Sequence, residues 1–357
     1  MNLSDLGWDS FFEEHLTQNK KDGFAPARIA REDRQAYLAY SEYGELIARV
    51  SGKMRHSARS RADFPAVGDW VVIEPRPGEA RATIHAVLPR KSKFCRKVAW
   101  VKTEEQVLAS NVDTVFLVNG LDLDFNLRRL ERYLTLAWES GAQPVVVLNK
   151  ADLCSDVESQ VGEAESVAFG VPVHAVSALE LDGLDALRGY VGTGTTVALL
   201  GSSGVGKSTL INSFLGTDLL KVGAVREDDS RGRHITTSRQ LVVIPGGGVI
   251  IDTPGMRELQ LWVDEKSLGG SFEDIEELAA ECRFSDCRHQ TEPGCAVKAA
   301  IEAGSLDAGR YRSYVKLQKE IKFLAIRKDQ RARLDEKTKW KQIAKWSRQR
   351  EKHKDKS

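Results

Sequence analysis

One nine-residue stretch constrains the fold of this chain more than any other feature. It follows the apolar run 195–200 and precedes the run 210–215, which has helical spacing. A strand, a glycine-rich loop and a helix in this order bind phosphate, because backbone N–H groups and the helix N-terminus point at the anion. Within the stretch, the lysine is expected to reach the β- and γ-phosphates and the following serine to bind Mg²⁺. The stretch consists of Gly201, Ser202, Ser203, Gly204, Val205, Gly206, Lys207, Ser208 and Thr209.

Two further segments at strand ends predict which base the nucleotide carries. Guanine presents two donors on one edge, and the Asp152 carboxylate can accept from both. Adenine has an acceptor at N1, so the site is expected to select GTP over ATP. Lys150 is expected to cover the base and Asn149 to brace the loop; the alternative is that Asn149 and Asp152 cap the next helix. The first segment is Asn149, Lys150, Ala151 and Asp152, and the second, expected around guanine O6, is Ser177, Ala178 and Leu179.

The chain after the phosphate loop predicts a magnesium site and a switch. Asp252 ends an apolar strand and is expected to hold Mg²⁺ through water, and Gly255 can offer its N–H to the γ-phosphate. The segment 231–237 is polar and turn-rich, as in a loop whose threonine reaches Mg²⁺ only beside the γ-phosphate. Thr236 and Thr237 are both candidates for this ligand.

Position 256 bears on the rate of hydrolysis. A glutamine just after Asp252–Gly255 would orient the attacking water, but Met256 stands there. Slow intrinsic hydrolysis is therefore predicted, with His234 or an outside partner supplying the catalytic group.

These pieces occur in the order of a circularly permuted GTPase. Both base-recognition segments precede the phosphate loop, whereas most GTPases present the phosphate loop first. Buried strands are predicted at 112–119, 144–148 and 171–176, with an amphipathic helix at 127–139. Their alternation predicts a mostly parallel α/β sheet with ligands at the carboxyl ends of its strands. Since 252–255 leads directly into the C-terminal region, nucleotide state is expected to move that region.

Three cysteines and a histidine lie within fourteen residues near the C-terminus. Three thiolates and one imidazole satisfy tetrahedral Zn²⁺, and a closed set of four ligands indicates a structural site. The surrounding residues are too polar for a hydrophobic core. The ligands are Cys282, Cys287, His289 and Cys295, in the pattern Cys-x4-Cys-x-His-x5-Cys.

The N-terminal part predicts a small β-barrel that binds RNA. Four or five short strands between residues 24 and 90 are typical of a closed barrel, and an OB-fold is expected. Basic residues surround the third strand and its loop, where OB-folds commonly bind RNA. These residues are Arg49, Lys53, Arg55, Arg59 and Arg61.

Charge is distributed unevenly, although the formal net charge is only +1. Residues 20–102 carry 18 Lys and Arg against 9 Asp and Glu, and residues 310–357 carry 18 against 6. The acidic centre, 103–309, carries 16 against 32. Two basic ends predict contact with a polyanion.

Several classes of protein are not indicated. Residues 1–20 mix acidic and apolar residues unlike a signal peptide, and no apolar run reaches the length of a membrane span. Five cysteines, three of them clustered, do not indicate a disulfide framework. A cytoplasmic location is expected.

The patterns divide the 357 residues into six segments. The predicted segments are an N-terminal extension (1–23), an OB-fold RNA-binding domain (24–90), a basic linker (91–110), a circularly permuted GTPase domain (111–265), a mostly helical zinc-binding domain (266–325) and a basic tail (326–357).

The permuted order, the leading barrel and the Cys-x4-Cys-x-His-x5-Cys cluster together resemble the RsgA family of bacterial GTPases, which includes the YjeQ and YloQ proteins. The resemblance covers about residues 24–325. It implies a monomeric, cytoplasmic, zinc-binding GTPase that acts late in assembly of the 30S subunit, with hydrolysis stimulated by the subunit and its 16S rRNA as partner. The family's switch loop usually reads Gly-x-His-Thr-Thr-Thr, and Ile235 departs from it.

The expected function is therefore GTP hydrolysis in maturation of the small ribosomal subunit, with one structural Zn²⁺ and with Mg²⁺ bound beside GTP. Two other classes stay open from sequence. One is a GTP-dependent RNA-binding switch without turnover, and the other is a GTPase that acts on another RNA, a membrane or a protein.

Overall fold

The computed structural model describes most of the chain as a barrel, a sheet covered by helices and a C-terminal helical group. The described residues are 1–18, 21–34, 36–97, 105–122, 125–216, 239–252, 272–290, 292–319 and 321. Within these ranges, no helix has both the length and the apolar character that crossing a membrane requires.

The N-terminal barrel has five strands, as predicted for an OB-fold. Its order is β1-β2-β3-β5-β4, and β4 pairs back onto β1, which closes the barrel. Small and branched side chains such as Ala27, Ile29 and Ile84 fill the interior and are fully buried. Helix α2 (Gly52–Ser57) follows the third strand. The strands are β1 (Ala25–Glu32), β2 (Tyr37–Ser41), β3 (Gly44–Val50), β4 (Trp70–Pro75) and β5 (Arg81–Val87).

The segment predicted as a basic linker contains two paired strands. β6 (Lys93–Lys97) and β7 (Glu105–Ser110) are antiparallel, and Phe94 and Leu108 are buried among core residues. The basic composition of 91–97 conceals this, because the exposed Lys91 and Lys93 alternate with the buried Ser92 and Phe94. The bounds of the six predicted segments stay predictions.

The central sheet is mostly parallel, as the strand–helix alternation predicted. In the order β10-β9-β8-β11-β13-β12, the first five strands run parallel and β12 is antiparallel. Its buried strands are rich in Val, Leu and Ile, as expected of a sheet covered on both faces. The strands are β8 (Thr114–Gly120), β9 (Gln143–Asn149), β10 (Val173–Val176), β11 (Thr196–Gly201), β12 (Gln240–Val243) and β13 (Val249–Asp252).

Helices cover the two faces of this sheet. Helices α3 (Leu127–Ser140) and α4 (Val157–Glu165) share one core cluster. Helices α5 (Leu184–Arg188) and α6 (Lys207–Leu215) share the cluster on the opposite face. Helix α3 begins where the Asn126 side chain accepts from the Arg129 N–H at 3.0 Å, which satisfies one of the free donors of its first turn.

The barrel and the central sheet are joined. Strand β1 pairs with β12 at Arg31 and Gln240, so one eleven-stranded sheet runs through both. Next to this contact, Arg28 is 1% exposed and donates to the carbonyls of Leu6, Gly68 and Asn111.

The N-terminal segment is part of this core. Helix α1 (Ser10–Thr17) buries Phe12 and Leu16 against the barrel residue Trp70. The sequence predicts no role for this segment, and in the structure it packs against Trp70 and accepts a bond from Arg28 through the Leu6 carbonyl.

The C-terminal group is helical, as predicted, and packs on α3. Its helices are α7 (Glu273–Ala280), α8 (Ala296–Glu302) and α9, which spans 308–319. Phe272, Ile275 and Leu317 belong to the same buried cluster as Leu130 and Leu134 of α3. The basic tail 326–357 lies outside the described residues.

Candidate nucleotide site and metal centre

The predicted phosphate loop lies between β11 and α6, at the carboxyl end of the parallel strands. Gly204 and Gly206 have φ angles of 79° and 94°, which glycine adopts readily. A Cβ at Gly206 would collide with the Asn149 side chain, and one at Gly201 would collide with the Val118 carbonyl. Glycine is therefore required where the loop passes close to neighbouring strands.

Asn149 connects the phosphate loop with both base-recognition segments. Its Nδ2 donates to the Val205 carbonyl at 2.8 Å, and its Oδ1 accepts from the Ala178 N–H at 3.0 Å. Asn149 is buried at the end of β9, so these two bonds are shielded from water. Such bonds are compatible with the predicted role of Asn149 in bracing the loop, which stays a prediction.

The base-recognition segments also contact each other through side chains. The Ser177 hydroxyl donates to Asp152 Oδ1 at 2.6 Å, which orients a carboxylate that is exposed to solvent. Lys150, with φ of 66°, places its ammonium 2.5 Å from Asp122 Oδ2. Leu179 is 73% exposed at the edge of this site. A flat ring placed between these groups would meet an oriented acceptor and a lysine stem.

Asp122 was missed by the sequence analysis. It follows the carboxyl end of β8, where a polar residue next to an apolar strand is a signal for a ligand or its support. Its ion pair with Lys150 is what fixes the position of the lysine stem.

The phosphate side of the site holds one lysine and one buried carboxylate. Lys207 donates to the carbonyls of Gly201 at 2.9 Å and Ser202 at 2.5 Å. Asp252 is 6% exposed at the end of β13, and burial raises the pKa of its carboxyl group, while the nearby Lys207 charge opposes this. A buried carboxylate beside a lysine is suited to a cation carried in with phosphate.

Several predicted residues lie outside the described part of the chain. Residues 217–238 and 253–271 are not described, and they contain His234, Thr236, Thr237, Gly255 and Met256. The predicted switch, the second Mg²⁺ ligand and the catalytic group therefore stay predictions.

The four predicted metal ligands come together in the C-terminal group. Their ligand atoms all lie within 4.8 Å of one another. Cys282 Sγ lies 3.9 Å from Cys295 Sγ and 3.5 Å from His289 Nδ1, and Cys295 Sγ lies 3.4 Å from the same nitrogen. Tetrahedral zinc bonds would place sulfur atoms about 3.8 Å apart and sulfur about 3.5 Å from nitrogen. The cluster of Cys282, Cys287, His289 and Cys295 therefore fits such a metal ion.

Local structure positions these ligands. Cys282 follows the end of α7, and Cys295 caps the start of α8, where its sulfur accepts from the Lys298 N–H at 3.4 Å. His289 has a φ of 60°, which turns the chain between the two helices. The metal ligands thus link α7 to α8.

The predicted RNA-binding cations lie on one part of the barrel. Arg49 is on β3, Lys53 and Arg55 are on α2, and Arg59 and Arg61 follow it, and all five are exposed. Arg61 Nη2 lies 4.0 Å from Glu32 Oε1, and the Arg61 side chain stays exposed to solvent beside this carboxylate.

A phosphate loop at the end of a parallel strand, preceded in the chain by the segments predicted to surround the base, is the order of a circularly permuted P-loop GTPase. A family model described as RsgA GTPase matches residues 87–262, and one described as 50S ribosome-binding GTPase matches residues 196–352. A small ribosomal subunit biogenesis GTPase RsgA of Opitutus terrae is 49% identical and covers 98% of each chain. RsgA 1 of Oceanobacillus iheyensis is 49% identical over 89% of this chain and 91% of its own. The chain belongs to the RsgA GTPase family.

Solved structures agree with this assignment. YjeQ from Thermotoga maritima is 28% identical, with a TM-score of 0.62 over 84% of this chain and 98% of its own. YloQ, a circularly permuted GTPase, is 25% identical, with a TM-score of 0.59 over 84% and 96%. The family resemblance and the permuted architecture found in the sequence are confirmed.

Proposed function

We propose that this protein binds and hydrolyses GTP in the maturation of the small ribosomal subunit, and that the subunit stimulates hydrolysis. One observation carries the nucleotide part of the proposal: Asn149 hydrogen-bonds to both the phosphate loop and the loop at Ala178. Relatives of nearly the same length are named for biogenesis of the small subunit, which supports the ribosomal part.

In this proposal, different polar residues contact the base, the phosphates and the metal ion. Asp152, oriented by Ser177, accepts from N1–H and the 2-amino group of guanine. Lys150 covers the base, and Lys207 leaves its two loop carbonyls to contact the β- and γ-phosphates. Ser208 would hold Mg²⁺ directly and Asp252 would hold it through water, and the bound ion would supply positive charge beside the phosphates.

The Cys-His cluster is proposed to hold one structural Zn²⁺. All four positions of a tetrahedral ion are filled by Cys282, Cys287, His289 and Cys295, so no position stays open for a substrate. Bound zinc would hold α7 and α8 together and so support the group that packs on α3.

The basic surface of the barrel is proposed to contact 16S rRNA. Its five exposed cations form a site for phosphates, and such binding is sequence-tolerant and sensitive to salt. Because this partner is cytoplasmic, so is the proposed location of the protein, which we propose acts as a monomer.

The test is GTP hydrolysis by the purified protein with and without purified small subunits, with ATP and large subunits as controls. We expect small subunits alone to raise the rate by tens-fold or more, because an outside partner supplies the missing catalytic group. The match to a 50S-binding family makes the large subunit an informative control. Equal rates with every addition would remove the ribosomal role and favour a GTP-dependent switch that acts on another RNA or protein.

A further inference from the structure

A basic groove lies between the GTPase helix α3 and the C-terminal helix α9. It is open, has a volume of about 370 Å³, and is lined by four cationic side chains. Two of them, Arg128 and Arg132, belong to α3, and the other two, Arg312 and Lys316, belong to α9. The predicted nucleotide, metal and barrel sites use none of these residues.

The four cations form two pairs with helical spacing. Arg128 and Arg132 are four residues apart, and so are Arg312 and Lys316, so each pair projects from one side of its helix. Arg312 and Lys316 are exposed. Glu131 and Asp307 both pair with Arg128, so the exposed Arg312 and Lys316 supply most of the positive charge that an anion in the groove would meet. Like charges at this spacing destabilise a helix, and an anion beside them relieves that repulsion.

Buried ion pairs fix the distance between the two helices. Arg310 of α9 donates to Glu131 of α3 at 3.1 Å and to both oxygens of Asp274 at 2.7 and 2.8 Å. Glu131 is fully buried and also accepts from Arg128 at 2.7 Å. The groove is therefore a built feature of the docked domains and not a chance approach of two surface helices.

The floor of the groove is shaped to admit Arg128. A Cβ at Gly309 would lie 2.5 Å from Arg128 Nη2, so a larger residue would displace the guanidinium. Asp307 at the rim pairs with Arg128, which holds that guanidinium in place.

We propose that this groove binds the sugar-phosphate backbone of structured RNA, as a second RNA contact in addition to the barrel. The proposal rests on the proposed function for the identity of that RNA, which is rRNA of the small subunit. Arginine and lysine pairs and the Ser313 hydroxyl are the groups that contact phosphates in RNA complexes. A protein partner is less favoured, because the apolar residue lining the groove among those described, Leu317, is buried and offers no apolar anchor.

Binding at this place would connect RNA to the two domains at once. One wall of the groove belongs to the GTPase and the other to the group that holds the metal ligands. RNA in the groove would therefore favour the docked arrangement of these two parts.

The test is the salt dependence of binding to purified small subunits and, separately, to protein-free 16S rRNA. The double variant Arg312→Gln with Lys316→Gln changes exposed positions and keeps residues that favour helices. We expect its affinity to fall roughly 10- to 30-fold at physiological salt, and the slope of log affinity against log salt to fall by about 2. Lys316→Arg should keep the wild-type slope.

Arg188→Gln is the matched control. Arg188 is exposed on α5, and α5 packs on the face of the sheet opposite to α3 and the groove. Metal content and the unfolding midpoint of each variant show whether it is folded. If the double variant has the affinity and slope of the wild type, the proposal that this groove binds RNA is wrong. The proposal of subunit-stimulated hydrolysis would be unaffected by that result. A loss with subunits but not with protein-free rRNA would identify a protein as the occupant and equally overturn the proposal. Absence of hydrolytic stimulation in the wild type would instead count against the proposed function, and the rRNA measurement would still decide the groove.

Discussion

Asn149 shows how a single side chain can organise a binding site. Its amide is buried and makes one donor and one acceptor contact with two different loops. Buried backbone groups that lose their partner pay the full cost of leaving water. The positions of both loops therefore depend on this residue.

Asn149→Ala is expected to lower the free energy of unfolding by about 1–3 kcal/mol, because the Val205 carbonyl and the Ala178 N–H lose their partners. GDP affinity is expected to fall roughly tenfold or more. Asn149→Asp keeps the acceptor for Ala178 and removes the donor to Val205, so it separates the two bonds. Thermal unfolding and calorimetric titration measure both effects, and unchanged affinity in Asn149→Ala would show that other contacts hold the loops.

Asp252 is expected to make nucleotide binding depend on pH. Burial raises the pKa of this carboxyl group, with Lys207 opposing the shift. Since the ionised form is needed to hold Mg²⁺, the Mg²⁺-dependent part of GTP affinity should decline on acidification at a higher pH than an exposed aspartate would give. Asp252→Asn should remove this dependence and lower affinity about tenfold or more.

The nucleotide-free protein should respond with the opposite sign. A raised pKa means that the folded state binds the proton more tightly than the unfolded chain does, so this contribution to stability is present at low pH and lost as pH rises through the raised pKa. Asp252→Asn is therefore expected to raise the unfolding midpoint without nucleotide at neutral pH. A lower midpoint would indicate that the carboxylate has a stabilising partner.

At the scale of the elements, sequence patterns were most informative where a signal is local. The strands β8, β9 and β11 and helix α3 all match apolar runs in the sequence. The pairing of β6 with β7 was missed because cations interrupt its apolar positions. The Arg310–Glu131 pair was missed because its members are 179 residues apart and neither lies in a motif.

Removal of the metal tests whether the Cys-His cluster holds α7 and α8 together. A strong chelator, or Cys282→Ser with Cys287→Ser, is expected to unfold only the C-terminal group, because the bound metal would link α7 to α8 beside the small core of that group. Loss of several kcal/mol would lower the midpoint of that group by more than about 10 °C. Cys95→Ser, on β6, is the control that removes a thiol outside the cluster. A single unchanged transition in the double variant would exclude a structural metal.

At the scale of the whole molecule, Arg28 holds three parts of the chain together. Its guanidinium reaches Leu6 of the N-terminal segment, Gly68 of the barrel and Asn111 before the central sheet, and it lies 5.6 Å from the Trp70 ring. Burial lowers the pKa of Arg28 to about 10, so it stays charged at neutral pH. The barrel and the GTPase sheet are therefore expected to unfold together.

Arg28→Met is expected to cost about 3–5 kcal/mol, since it leaves the carbonyls of Leu6 and Asn111 without their donor in the core, while the Gly68 carbonyl keeps its bond from Asn111 Nδ2. Arg31→Met on the same strand removes a half-exposed pair with Asp33 and should cost less than about 1 kcal/mol. Chemical denaturation followed by fluorescence compares the two. Equal costs would show that the buried guanidinium does not determine the stability of the junction.

The position of Arg28 also has a consequence for synthesis of the chain. The barrel strands leave the ribosome before Asn111 does, so a nascent barrel contains a buried cation whose last acceptor has not yet been made. The barrel should therefore complete its folding only when the first part of the GTPase domain has emerged. The order of synthesis thus delays the final folding of the N-terminal domain until the start of the GTPase domain has been made, although all five barrel strands have been synthesised by then.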